Sequence, residues 1–151
     1  MKGALYPKIF KDLLDGTMSV TSHTVRAALM KSDFSFNVAD ENWDNTHECT
    51  DLDYTAGGEV LPITAAQINV STRTITISTS DSVTTFTELG DIMASYCVLY
   101  IDDGSTNQKL LACFDFEGSQ SSQGAEFEIN WGVVGGSPGE LFKITTVDMP
   151  E

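Results

Sequence analysis

Positive charge is scarce in this sequence. Eight Lys and Arg stand against 22 Asp and Glu in 151 residues, for a net charge of −14. A surface of that sign repels phosphate backbones, which argues against direct binding to nucleic acid. Cysteine is nearly absent as well: Cys49, Cys97 and Cys113 are an odd, sparse set without metal-type spacing. They form no disulfide framework, and they point to synthesis in a reducing compartment. No apolar run approaches the ~18 residues of a membrane span, and Pro7, Lys8 and Lys11 interrupt what would be the apolar core of a secretory signal. Histidine is limited to His23 and His47, each with polar neighbours, and no nucleophile-elbow pattern accompanies them. With His47 and Cys49 the only ligand types near one another, a four-ligand zinc site lacks candidates. These gaps leave no signature of catalysis and no cofactor requirement.

What the sequence has in quantity is Thr and Ser, 17 and 14 residues, many interleaved with Val, Ile and Phe. That mixture suits half-exposed strands better than helices. One segment breaks the pattern. In "PKIFKDLLD" (7–15), Ile9, Phe10, Leu13 and Leu14 make one apolar stripe, with Pro7 suited to the first turn and Gly16 to the stop. A short amphipathic helix is expected there. From Thr24 onward the period is two. "TVRAALMKS" (24–32) places Val25, Ala27 and Leu29 on one face, and Phe34 and Phe36 continue the alternation. "TRTITISTS" (72–80) alternates cleanly, whereas Pro62 argues against a continuous central strand across 58–70. "SYCVLYI" (95–101) and "KLLACFDF" (109–116) are apolar on both faces, so they are expected as central strands joined in a hairpin by "DDGSTNQ". "SSQGAEFEINW" (121–131) turns Phe127, Ile129 and Trp131 inward, and "LFKITTV" (141–147) closes the series after the turn "VVGGSPGE". The expected fold is mainly β, an antiparallel β-sandwich of Ig-like or jelly-roll-like type, with a short N-terminal amphipathic helix. It divides into a basic helix or arm over 1–16 and a sandwich domain over 17–151.

Two stretches invite a chemical reading. In "YTAGGEVL" (54–61), Gly57 and Gly58 precede a strand and not a helix, and the nearest charge is Glu59. A phosphate loop needs the opposite on both counts, so the glycines are read as a turn in which one or both adopt positive φ. The acidic stretch "DENWDNTHECTDLD" (40–53) carries Asp40, Glu41, Asp44, Glu48, Asp51 and Asp53, but not in the spacing of a calcium-binding EF-hand. It is read as a long solvated loop. Trp43 within it either caps the sandwich or anchors a partner.

Charge is also unevenly spread. Residues 1–31 hold five basic and two acidic residues, a net of +3, and the remaining 120 hold three basic and 20 acidic, a net of −17. A basic end on an acidic body suits docking onto an acidic neighbour, including another copy of the chain. The residues expected to touch a partner are Lys2, Tyr6, Lys8, Lys11, Arg26 and Trp43.

The serial order of these pieces is itself informative. The "LLDGT" helix end, "TVRAALMKSDFSF", the "DENWD" loop, "YTAGGEVL", "SYCVLYIDDGS" and "LLACFDFEGSQSSQGAEFEINW" follow one another over nearly the whole chain. This order resembles a family of small tailed-bacteriophage virion proteins, described as head decoration (cement) or minor structural proteins. The resemblance implies a protein of the capsid surface, assembled in the host bacterial cytoplasm, with the major capsid protein as partner. It also implies self-association, since trimers are common among decoration proteins. A head–tail connector, tail or fibre-associated component is the alternative within that class. A carbohydrate- or cell-surface-binding β-sandwich is the alternative outside it.

Overall fold

The computed structural model describes residues 1–64, 66–131 and 139–145. In chain order the elements are β1 (Lys2–Leu5), α1 (Ile9–Leu14), β2 (Thr24–Met30), β3 (Glu59–Val60), β4 (Gln67–Asn69), β5 (Thr74–Ser78), β6 (Val83–Gly90), β7 (Met93–Asp102), β8 (Gln108–Ser121), β9 (Ala125–Asn130) and β10 (Glu140–Thr145). The described strands form a five-stranded sheet in the order β1-β8-β7-β2-β3, a three-stranded sheet β10-β5-β4 and the pair β6-β9. Every named pairing is antiparallel.

Alternation along the strands of the five-stranded sheet separates two faces. Val25, Ala27 and Leu29 of β2, Cys97, Leu99 and Ile101 of β7, and Leu111 and Phe114 of β8 turn to one side. There they meet Ile77 of β5, Phe86 of β6, Phe127 and Ile129 of β9, Trp131 and Leu141 in a single apolar core. This is the sandwich interior. Trp131 is fully buried, its ring 5.6 Å from Phe114, and its indole N–H donates to Thr84 Oγ1 at 2.7 Å. β7 and β8 form the expected hairpin, and both run through the middle of the sheet as their two-sided apolarity requires.

The opposite face of the same sheet is covered too, but by irregular chain. Met30, Val98, Leu110, Cys113 and Tyr6 form a second buried cluster, on which Phe34, Phe36, Trp43 and Tyr96 pack. Phe34 and Phe36 are therefore not strand residues, although they alternate. Their rings lie against Tyr96 and Tyr6, at centroid separations of 5.3 and 4.8 Å. The segment from 31 to 58 is a lid of loop whose first part, through Phe34, Phe36 and Trp43, covers a sheet face that would otherwise be bare, and whose later part turns Cys49 and Tyr54 into the sandwich interior.

The N-terminal region differs from its expectation in a second way. The helix is present but spans only Ile9–Leu14, and Gly16 ends it at φ +74 as expected of a C-terminal glycine. Ahead of it Lys2–Leu5 pairs with β8 from Lys2↔Asp115 to Leu5↔Ala112, and Ile9 is buried in the main core. The boundary expected at residue 16 thus crosses continuous pairing and packing. β6 is a further addition to the expected strands. Thr84 is its inward residue beside Phe86, so its hydrophobic alternation is weak. The glycine-rich turn expected across 133–140 and the end of the closing strand fall mostly outside the described residues.

Candidate functional site

Gly57 and Gly58 adopt φ of +86° and +71°. They carry the chain out of the lid and into β3. At Gly58 the requirement is absolute: a Cβ would lie 2.6 Å from the Ala27 carbonyl carbon and 2.7 Å from the Ala28 Cα, and closer still to the Ala27 oxygen. Only a residue without a side chain lets β3 reach β2 at the Ala27↔Glu59 pair.

The glycines are one side of a hydrogen-bonded knot. Its centre is the Glu48 carboxylate, 4% exposed, at the far end of the lid. Glu48 Oε1 accepts from the Gly57 N–H at 2.6 Å and from the Tyr54 hydroxyl at 2.7 Å. The Tyr54 oxygen in turn accepts the Leu29 N–H at 3.1 Å, which ties the knot to β2. From β7 the Tyr100 hydroxyl donates to the Gly57 carbonyl at 2.7 Å, and from β2 the Arg26 guanidinium donates to the Gly58 carbonyl at 3.3 Å. Trp43 lies flat on Tyr100, ring centroids 4.4 Å apart and planes 4° from parallel. Burial, then the bond to Glu48, pushes the Tyr54 hydroxyl far above its ordinary pKa, and burial lifts Tyr100 to about 12. Both remain donors at any physiological pH. The arrangement spends its polar atoms on holding lid to sheet.

The acidic stretch is a largely exposed loop, as expected, apart from the buried Glu48 and Cys49. Each of its six carboxylates is engaged within the chain. Asp40 accepts from Asn37, Glu41 from Lys109 at 2.6 Å, Asp44 from the Thr46 N–H and Glu48 as above, while Asp51 and Asp53 accept the Met93 and Asp91 N–H groups at 3.1 Å. For four of the six, Asp44, Glu48, Asp51 and Asp53, a donor is a backbone N–H, so negative charge here serves largely as a supply of backbone acceptors. Among the described residues, no three His, Cys, Asp or Glu side chains converge as a metal-holding set. His23 accepts the Ser19 N–H, and His47 lies 3.3 Å from Asp33.

The residues expected to touch a partner fall into two groups. Lys2, Lys8 and Lys11 are on the surface around β1 and α1, with exposed ion pairs to Glu117 (2.9 Å), Glu41 (3.9 Å) and Asp15 (2.6 Å) respectively. Tyr6 is a correction: it is 1% exposed beneath Phe36, so it serves the core and offers nothing to a partner. Arg26 is held between Gly58 and Asp102, and one face of Trp43 is taken by Tyr100. Trp43 thereby caps the sheet, one of its two expected roles. Sequence reasoning missed Glu48, Tyr54 and Tyr100. Glu48 was one acid among many, and nothing in its spacing marks it as buried.

Comparison with protein-family models, with characterised proteins and with solved structures yields no match to this chain.

Proposed function

We propose that the chain is a structural component of a tailed-bacteriophage particle, a decoration protein that binds the outer face of the capsid shell and stabilises it against internal pressure. The resemblance in serial order supports this reading. The observation that carries it is the lysine face: Lys2, Lys8 and Lys11 stand exposed around β1 and α1 on a chain of net charge −14. Their present partners are surface carboxylates, and exposed pairs of this kind contribute only about 0–1 kcal/mol. Exchanging them for carboxylates of a neighbouring shell subunit is therefore nearly neutral per contact. Many such contacts, repeated over a lattice, become firm through multivalency.

The test is co-sedimentation of the protein with heads prepared without it, comparing wild type with the triple charge reversal Lys2→Glu, Lys8→Glu, Lys11→Glu. Binding that weakens with salt and disappears in the triple variant, with unchanged circular dichroism, supports the reading. Undiminished binding by the variant overturns the lysine face as the docking surface.

A further inference from the structure

Several other strand edges in this fold are blunted in recognisable ways. β1 presents Lys2, and β3 is two residues long with Pro62 just beyond Leu61. β9 presents Glu126 and Glu128 outward, and β10 carries Lys143 and a register shift between Glu140 and Phe142. Charges, proline and bulges of this kind prevent pairing with other chains. β4 has none of them. It is the outer strand of its sheet, and among the described residues no strand pairs with its free edge. It lies in the stretch 60–80, which contains no Asp or Glu and a single charged residue, Arg73, in a chain with 22 acids. Its middle residue Ile68 is 73% exposed, and Val70 just beyond it 82%. Ile68 sits opposite Ile75, which sits opposite Ile144, so the three make one cross-strand row that ends at the open edge.

We infer that β4 pairs antiparallel with β4 of a second copy, joining two three-stranded sheets into one continuous six-stranded sheet about a twofold axis at Ile68. Two features select a second copy as the occupant. The strand is self-complementary. A three-residue ladder fully paired with itself centres on its middle residue, which sets Ile68 against its own mate and Gln67 against Asn69 of the other chain, with no charge opposed to another. The isoleucine rows of the two copies then run on as one. The second feature is charge. Two bodies of −14 repel over most of their surfaces, and the strands at this edge, β4 and the β5 behind it, carry no carboxylate, so the two copies meet there without opposing acids.

The charge argument fixes the sign of the salt effect. Pairing through β4 strengthens as salt screens the repulsion between bodies, whereas docking through the lysine face weakens. Sedimentation equilibrium of the full chain at low and high salt reads this directly. The dimer fraction is expected to rise with salt, and Ile68→Lys is expected to be monomeric in both conditions with an unchanged melting temperature. Position is read by oxidative cross-linking, for which the three native cysteines are buried and silent. In the twofold pairing, position 68 faces its mate at about 4.5–5.5 Å between Cα atoms, within disulfide reach, and position 70 is about 13 Å from its mate. Ile68→Cys therefore cross-links and Val70→Cys does not. A chain that stays monomeric at all concentrations and salts overturns the inference. So does a dimer that weakens with salt, or equal cross-linking at the two positions. Shell binding by Ile68→Lys is measured separately, because that variant leaves the lysine face intact and the two readings then fail independently.

Discussion

Replacing Gly58 with alanine should destabilise the protein far more than the same change one residue earlier. Both glycines have positive φ, and holding an L-residue in that region costs roughly 1–2 kcal/mol. At Gly57 that is nearly the whole effect, since an added Cβ would meet only the Tyr100 hydroxyl at an ordinary 3.5 Å. At Gly58 the Cβ would lie inside the backbone of Ala27 and Ala28, which cannot retreat because both residues are paired with Leu99 and Val98 of β7 on their other side. β3 must lift instead. That breaks the pairs Arg26↔Val60 and Ala27↔Glu59, the 2.8 Å bond from Leu61 N–H to Val25 O, and the Arg26 bond to Gly58 O. At about 1 kcal/mol net for each hydrogen bond lost, on top of the backbone cost, Gly58→Ala should cost about 4–6 kcal/mol and Gly57→Ala about 1–2. Urea unfolding with the slope unchanged measures both against a total of about 5–15 kcal/mol for a domain of this kind. If the two variants lie within about 0.5 kcal/mol of one another, the close approach of β3 to β2 is not what Gly58 is for.

The Glu48 knot makes a second expectation: Glu48→Ala leaves the Gly57 N–H and Tyr54 hydroxyl without an acceptor and should cost about 3 kcal/mol, with Glu48→Gln retaining part of that, measured by the same unfolding assay. Acid should loosen the N-terminal strand. Hydrogen bonds from the Met1 amino group and Lys2 hold Glu117 down at about 2 against an ordinary 4.5, so the stability it contributes is present above pH 4.5 and lost as pH falls toward 2. Amide exchange in β1 should therefore accelerate across that window, and exchange that is flat from pH 5 to 2, after correction for intrinsic rates, would contradict it. Alkali acts through the thiols. Burial raises Cys49 and Cys113 to about 12 and holds Cys97 well above the ordinary thiol value, so stability should fall as pH rises above 9, where the unfolded thiols ionise first. The same burial makes all three slow toward a thiol reagent at neutral pH; rapid native labelling of any one would show an opening absent from this packing.

Legibility of the fold followed the strength of periodicity. The two-sided apolar runs around Cys97 and Cys113 and the alternation ending at Trp131 are inescapable in the sequence, and each stands in the structure where its pattern places it. β1 was hidden because "KGAL" is too short and too exposed to carry a pattern, and its strand character comes from pairing with β8. β6 was hidden by threonines that face both ways. Phe34 and Phe36 alternate like strand residues, yet their periodicity records only that both rings reach the same sheet face from a loop. That the glycine pair makes a turn with positive φ at one position or both was legible from their neighbours, and the structure has it at both. The partner that fixes them was not, because Glu48 becomes distinctive only when Tyr54, Gly57 and Leu29 close around it. Local pattern reports which side of a strand is buried, and it is silent on which carboxylate of a crowded loop will be drawn inside.

The proposed role on a virion is tested most directly by imaging heads prepared without the protein after incubation with it. The account predicts density at regular positions across the outer lattice, with β1 and α1 toward the shell. Density confined to a single vertex, or none on the shell, would contradict it, and the former would assign the chain to the connector or tail instead.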